Sequence, residues 1–478
     1  MRCGWPLCVM IAMTMSAVAR GQTKESAVAQ RAVSGGTLTL DEVVKAADER
    51  HPMIVVALRD VDAAQGDQLA AEGGFDPVWR ASGTIAPVGG YRNGRVDTVV
   101  EQPTPLWGTS VFAGYRIASG METFPIYDQK LATNQFGEVR AGVRVPLLRD
   151  GPIDRRRATI TRSTLGVDIA KLEVTRQRIE IVRLAAHRYW DWVSAGRRLS
   201  IAREWLSLAS KRDDDIASRA RSGDVAEIDR TENQRTMLQR RAAVVSAERA
   251  LFEAGTELSM FYRDDKGAPV VPDVSRLPSV IPDVSGIDAL DPKVAEVQAY
   301  ARRPELSTID AQRTQARVEL DLARNQRLPA VDVVVAGSKD FGPGDPKWDK
   351  PAVEVSLVVD IPLLARPARG RADSAEATRA KLDQRERFMK ERIGVDIRNA
   401  WMALRTAKDR ADLAREELRI AEALEKAEFD KFNAGDSTLL IVNLREQAAA
   451  EAAIRLVDGL VDVHKAVATY RAVMGNMK

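Results

Sequence analysis

Apolar residues recur every three or four positions over long stretches of the chain. One such seam is Ile393, Ile397, Ala400, Leu404, Ala407, Ala411, Ala414, Leu418 and Ala421, and the first half of the chain has a similar one that includes Ile179, Val182, Ala186, Tyr189 and Val193. This spacing predicts helices that pack side by side along a coiled-coil seam. Because many seam positions hold alanine, neighbouring helices can approach closely and form a curved wall.

The longest of these regions runs without a helix breaker from about Arg155 to Ser222. A single helix of this length would span roughly 100 Å at a rise of 1.5 Å per residue. A helix of this length is too long for a compact domain. The pattern therefore indicates either a conduit that crosses a wide space or a free coiled-coil rod.

Shorter segments alternate apolar and polar residues, which is the pattern of β-strands with two different faces. Trp79, Ala81, Gly83 and Ile85, for example, alternate with polar residues. Strands are predicted near 76–86, 137–146, 330–338 and 352–361. The alternation fits a membrane barrel and a half-buried soluble sheet equally well.

Shared proline and glycine markers indicate that the chain is an internal duplication. His51-Pro52 and Arg303-Pro304 each open a helical stretch that ends at a proline after the same interval, at Pro77 and Pro329. Pro146-Leu147-Leu148 and Pro362-Leu363-Leu364 then end a strand in each copy. The predicted domains are a first repeat at 38–262, a proline-rich linker at 263–290 and a second repeat at 291–478. The first repeat also carries an insertion near 96–120, which would either lengthen barrel strands or build an extracellular loop.

Each repeat contains a Gly-Asp pair inside its long helical region, at Gly223-Asp224 and Gly435-Asp436. Glycine accepts the left-handed conformation that ends a helix. The two pairs therefore predict the turns of two helical hairpins, at the far tip of the helical part.

The first 19 residues have the features of a signal peptide, with Arg2, an apolar run and a small-residue cleavage pattern that ends at Ala19. The only two cysteines, Cys3 and Cys8, lie in this segment. The exported chain is therefore expected to contain no disulfide and no thiolate site. After residue 20 there is no uncharged apolar run of the ~18 residues that a membrane helix needs, so strands would have to cross any membrane. A short sheet can close in lipid only if several chains contribute strands to it.

Composition and motifs give no sign of enzymatic chemistry. The formal charge of +3 is small beside 71 basic and 68 acidic residues, so no nucleic-acid partner is expected. The histidines His51, His187 and His464 are far apart and accompany no metal or phosphate motif. Neither a catalytic group, a cofactor nor a metal is predicted. The charged run at 211–215 is interpreted as a solvated helix face.

The duplicated plan of helix, two strands and two helices, the paired Pro-Leu-Leu strand ends and the Gly-Asp turns together resemble the TolC-like outer-membrane efflux proteins. The resemblance implies a homotrimer in which four strands from each subunit form a twelve-stranded β-barrel in outer-membrane lipid, continued by a long α-helical barrel in the periplasm. It also implies docking to a periplasmic adaptor, or membrane fusion protein, and to an inner-membrane transporter.

The hairpin turns are the expected adaptor-docking residues. Gly223 and Asp229 match the family's pattern of a glycine followed six positions later by an aspartate. The second hairpin departs from this pattern, because Ile441 and Leu444 stand where well-known members place carboxylates that narrow the entrance. The possible entrance lining is therefore Ile441, Leu444 and Glu446. Asp436 or Glu446 would supply negative charge there, unless such a residue only caps a helix.

The sequence thus predicts a mainly α-helical protein with a small β part, which serves as the outer-membrane channel of a tripartite efflux or type I secretion system. Conduction would be passive, through a water-filled path with porin-like activity. The alternatives are a secreted periplasmic coiled-coil scaffold without a pore and the periplasmic adaptor itself.

Overall fold

The computed structural model describes residues 36–88, 92–120, 123–124, 129–130, 132–221, 226–287 and 291–476. The predicted signal peptide at 1–19 lies outside these residues. The described chain is mainly helical with a small antiparallel sheet, as the sequence predicts.

In the first half, two helices precede the strands and two long helices follow them. The elements are α1 Leu40–Arg50, α2 Pro52–Glu72, β1 Val78–Ala86, β2 Asn93–Pro103, β3 Ser110–Gly120, β4 Thr123–Phe124, β5 Gln129–Lys130, β6 Glu138–Pro146, α3 Arg155–Arg221 and α4 Glu227–Ser259. Short 3-10 helices lie at Gly73–Phe75 and, in the linker, at Val274–Arg276.

The second half repeats the order of helices and strands but has only two strands. Its elements are α5 Pro292–Arg302, α6 Pro304–Asn325, β7 Ala330–Asp340, β8 Ala352–Asp360, α7 Arg366–Ala434 and α8 Leu439–Val473. The long helices α3 and α7 contain 67 and 69 residues.

Helix starts are fixed by local capping. His51 caps α2 by accepting a hydrogen bond from the Met53 amide, and Pro52 occupies the first turn, where its missing N–H costs nothing. Asp291 caps α5 in the same way, ahead of Pro292. At the start of α3, the Asp154 carboxylate accepts a 3.0 Å hydrogen bond from the Arg157 amide.

Six strands form one antiparallel sheet in the order β1-β2-β3-β6-β7-β8, and β4 and β5 pair separately. The sequence predicts only four of these six strands as barrel strands. The other two, β2 and β3, come from the insertion near 96–120. They are separate strands of the sheet, inserted between β1 and β6, and they do not lengthen the other four.

The core lies among the helices. One cluster joins α1, α3, α4 and α8 around the fully buried Trp192, Val193 and Leu258, and a second joins α5, α7 and α8 around Ile393 and Ile397. The seam positions from Ile393 to Ala414 are buried, whereas Leu418 and Ala421 are not.

Among the described residues, no helix combines the length and the apolar character that crossing a membrane requires.

Candidate functional site

One face of the six-stranded sheet is apolar from edge to edge. Residues that lie directly opposite each other on paired strands share a face. The row Trp79, Val100, Ala113, Ala141, Gly337 and Val353 crosses all six strands on this face. The large side chains of this row are exposed, and the exposed fractions of Trp79 and Val353 are 70% and 77%. Wide apolar surface exposed in this way marks contact with a partner or with lipid.

The opposite face of the sheet is charged and internally paired. Asp97 on β2 is only 6% exposed and accepts contacts from three guanidinium groups, Arg95 at 2.5 Å, Arg116 at 2.7 Å and Arg140 at 3.2 Å. Arg116 also lies 3.7 Å from Glu138. These contacts join β2, β3 and β6 on the polar side, so the two faces of the sheet suit two different environments.

The predicted hairpin turns are only partly within the described residues. Gly223 and Asp224 lie outside them, and Asp229 lies in the first turn of α4. Gly435 ends α7 in the left-handed conformation, at φ 84°. The Gly435 and Asp436 amides donate to the last carbonyls of α7, those of Phe432 and Lys431. This is the hydrogen-bond pattern of a helix terminated by glycine.

The candidate entrance residues differ in exposure. Ile441 and Leu444, on the first turns of α8, are 39% and 62% exposed. Asp436 is exposed, and the N-cap position of α8 is held by Thr438, whose side chain makes no capping bond. Glu446 is 4% exposed, so its carboxylate points into the subunit.

Glu446 is the centre of a buried ionic network that links the two helical hairpins. Its carboxylate is paired with Arg212 of α3 and, at 2.7 Å, with Arg240 of α4. Asn443, one turn earlier on α8, accepts a 2.8 Å hydrogen bond from Arg212. Arg240 also donates to the Trp205 carbonyl at 2.6 Å and lies over the Trp205 ring.

Burial shifts the protonation equilibria of this network. Burial, and next the neighbouring Arg212, lowers the pKa of Arg240 to about 10. Burial also raises the pKa of Glu425 on α7, which lines a groove of about 670 Å³ beside Arg212. Both arginines remain charged at neutral pH, so Glu446 is held by two cations. The sequence does not predict this ionic network. Arg212 belongs to the charged run at 211–215, which is interpreted from the sequence as a solvated helix face, and that interpretation is wrong for Arg212.

The three histidines each have a structural contact. His51 stacks on Phe261, and His187 lies 3.0 Å from the Thr469 hydroxyl. His464 stacks on Trp190 at a centroid distance of 3.8 Å, and its Nε2–H donates to the Pro282 carbonyl at 2.8 Å. Within the described residues, no group of histidine and acidic side chains could hold a metal ion.

Comparison with known proteins finds one family model that matches part of the chain. The family model of outer membrane efflux proteins matches residues 297–476, which is most of the second predicted repeat. A search of curated protein sequences finds no significant match.

Several solved structures share the fold over nearly all of the chain. A membrane protein from Pseudomonas aeruginosa aligns with a TM-score of 0.64 at 15% identity, over 92% of this chain and 91% of that one. The outer membrane protein VceC of Vibrio cholerae gives 0.63 at 14% identity, over 91% and 96%. The open state of the MtrE outer membrane channel of Neisseria gonorrhoeae gives 0.63 at 13% identity, over 91% and 89%.

The fold is therefore that of an outer-membrane channel, in which a small sheet is joined to long helical hairpins. The match of the family model over residues 297–476 confirms the predicted resemblance to TolC-like outer membrane efflux proteins. The solved structures that share this fold include outer-membrane channels, and they support the predicted location in the outer membrane with a long periplasmic helical part.

Proposed function

We propose that the chain is one subunit of a homotrimeric duct that conducts substrates passively from the periplasm, or from an inner-membrane pump, to the exterior. The observation that carries the proposal is the sheet, with an exposed apolar face on one side and a paired, charged face on the other. The apolar face would contact lipid, and the charged face would line a water-filled lumen.

The edges of the sheet support oligomerisation. In the described chain, β1 and β8 each pair with only one neighbouring strand. An open sheet edge cannot persist in lipid, because every backbone amide there needs a partner. Since all neighbouring strands are antiparallel and their number is even, β8 of one copy would run antiparallel to β1 of the next. Three copies joined in this way would close the sheet.

The helices supply the periplasmic part of the duct. At 67 residues, α3 is about 100 Å long, and α7 is similar. The order of elements in the two halves agrees with an internal duplication, in which α3 with α4 and α7 with α8 are corresponding hairpins. The signal peptide at 1–19 would direct export and be removed.

The hairpin tips are the proposed docking site for a periplasmic adaptor that connects the duct to an inner-membrane transporter. Gly435 and Asp436 end α7, and Asp229 lies in the first turn of α4. Gly223 and Asp224, which are outside the described residues, complete the proposed docking set. Ile441 and Leu444 are exposed on the adjoining part of α8 and would line the entrance. Glu446 would act by holding α8 to the first hairpin, because its charge is already paired within the subunit.

Deletion of residues 219–228 tests the docking role. We expect trimers to assemble at normal levels, since the sheet and the helix cores are untouched, while adaptor-dependent export is lost. Normal export by this variant would contradict the docking role. Independently, the purified trimer should give ion conductance in planar bilayers, and absence of conductance would instead favour a scaffold without a pore.

A further inference from the structure

We propose that the hairpin β2–β3 forms part of the membrane wall, so that three subunits close an eighteen-stranded barrel, wider than the twelve-stranded one of the proteins that this chain resembles. This inference rests on the proposed trimeric channel. It identifies 93–120 as the segment that sets the width of the outer-membrane pore.

The pairing of the hairpin is the first argument. β2 pairs with β1 from Val78 to Ala86, which is the whole length of β1, and β3 pairs with β6 from Glu138 to Arg144. The hairpin therefore occupies the position at which β1 and β6 would otherwise meet. An extracellular loop would leave that direct pairing intact.

The direction of the hairpin is the second argument. Its turn, at 104–109, lies at the end of the sheet where the chain passes from β6 into α3. The Trp107 indole N–H donates to the Pro146 carbonyl at 2.9 Å. A Cβ atom at Gly108, whose φ is +64°, would lie 2.2 Å from the Asp150 carbonyl oxygen. The hairpin thus runs the full height of the sheet and turns at its periplasmic, helical end, where no extracellular loop could lie.

The faces of the hairpin are the third argument. Val96, Val100, Val111, Tyr115 and Ile117 lie on the apolar face and are each at least 36% exposed. Their paired neighbours on β1 and β6 continue that face. On the other face, the hairpin contributes Arg95, Asp97 and Arg116 to the ionic cluster with Arg140 of β6. Both strands of the hairpin therefore have one apolar face and one charged face. Strands in the wall of a membrane barrel have the same arrangement, with the apolar face outside and the charged face inside.

The consequence is a wider pore. Three copies of a six-stranded sheet supply eighteen strands. Barrel diameter grows roughly linearly with strand number, so the outer-membrane part would be about 1.5 times as wide as a twelve-stranded one, in the range where porins keep an open aqueous channel. The outer-membrane segment would accordingly admit bulkier cargo, and size selection would fall to the helical entrance.

Cryo-electron microscopy of the wild-type trimer in lipid nanodiscs provides the direct test. Eighteen strands around the pore, including 93–103 and 110–120 from each subunit, are expected. A closed barrel of twelve strands with this hairpin outside the wall would overturn the inference and leave the proposed channel function intact. Failure to find any closed trimeric barrel would overturn both.

Labelling in intact membranes gives an independent readout with a matched control. The mature chain is expected to have no cysteine of its own, so Thr98→Cys and Val99→Cys introduce single thiols on opposite faces of β2. We expect a spin label at position 98 to be relaxed by lipid-soluble oxygen and one at position 99 by a water-soluble relaxation agent. Equal accessibility of both labels to the water-soluble agent would place β2 outside the membrane and overturn the inference.

Discussion

At the scale of single residues, the most consequential group is the buried carboxylate of Glu446. It pairs with two arginines from different helices, and both would lose their direct ion-pair partner without it. Removing one member of a buried ion pair usually costs about 3–5 kcal/mol. We therefore expect Glu446→Gln to lower the melting temperature of the purified trimer and, because α8 is released from the first hairpin, to raise basal conductance in planar bilayers.

Glu451→Gln is the matched control for that experiment. Glu451 lies on the same helix and is exposed, where it accepts a 2.8 Å hydrogen bond from the Gln447 side chain and lies 3.9 Å from Arg455. Such a pair contributes about 0–1 kcal/mol. If both variants lost equal stability, the buried network would have no special role.

His464 provides a pH-dependent contribution to stability. Burial lowers its pKa below the ordinary value near 6.5, whereas the hydrogen bond to Pro282 and the charge of Asp283 act in the opposite direction. The folded state thus favours the neutral ring. The stabilisation is complete above pH 6.5 and is lost as pH falls below 6.5 toward the folded-state pKa, because the unfolded chain binds the proton more readily.

We expect His464→Gln to weaken this part of the pH dependence. Melting temperatures of the wild type and the variant, measured between pH 7.5 and 5.5, should show the steeper acid loss in the wild type. His187, whose pKa burial also lowers, remains in both proteins and cancels in the comparison. Parallel curves for the two proteins would contradict the role of His464.

The sequence could not predict residue roles of this kind, because they depend on contacts between distant parts of the chain. The positions of Arg212 and Glu446 are 234 residues apart, and nothing in the spacing of charges indicates which ones meet. Arg212 stands in a run of five charged residues, where the usual outcome is solvation. The Gly-Asp turn at 435–436, in contrast, was predictable because glycine conformation is a local property.

At the scale of elements, the small residues on the helix seams set how closely helices pack. Gly459 of α8 faces α7, and a Cβ atom there would lie 3.0 Å from the Ala411 Cα and 3.3 Å from its Cβ. A larger side chain would have to push the two helices apart, and overpacking of this kind typically costs about 1–3 kcal/mol. We expect Gly459→Val to lower the melting temperature accordingly.

Gly166→Ala separates packing from helix propensity. Gly166 also lies inside a long helix, but a Cβ atom there would meet nothing within 4 Å. Alanine is favoured over glycine in a helix interior by about 0.5–1 kcal/mol, so this variant should be slightly stabilised. A Gly459→Val variant as stable as the wild type would show that α7 and α8 are not closely fitted.

The elements themselves were largely predictable, because helix and strand periods are local. Strands appear near each of the four predicted segments, and α3 covers almost all of the stretch that the sequence treats as continuous. The insertion near 96–120 could not be placed, because alternation reveals that a segment is extended but not which strand it pairs with. Its partners, β1 and β6, are fixed by register across the sheet.

At the scale of the whole molecule, the separation of apolar and charged faces decides whether the sheet can enter lipid. Val355 lies on the apolar face of β8 and is 69% exposed, whereas its neighbour Ser356 lies on the charged face beside Glu354. A lysine on the lipid side of a barrel costs about 2–4 kcal/mol at the membrane midplane, but little on the lumen side. Val355→Lys is therefore expected to reduce the amount of trimer recovered in the outer membrane.

Ser356→Lys is the matched control, with the same charge introduced one position along the same strand. Its side chain would enter the polar face near Glu354, so trimer recovery should stay close to that of the wild type. Outer-membrane fractionation followed by electrophoresis without heating measures both variants. Because adjacent strand positions point to opposite faces, a soluble sheet with no lipid contact would tolerate lysine at the exposed Val355 as well as at Ser356. Equal recovery of the two variants would therefore argue against the membrane orientation of the sheet, and loss of the Val355→Lys trimer alone would support it.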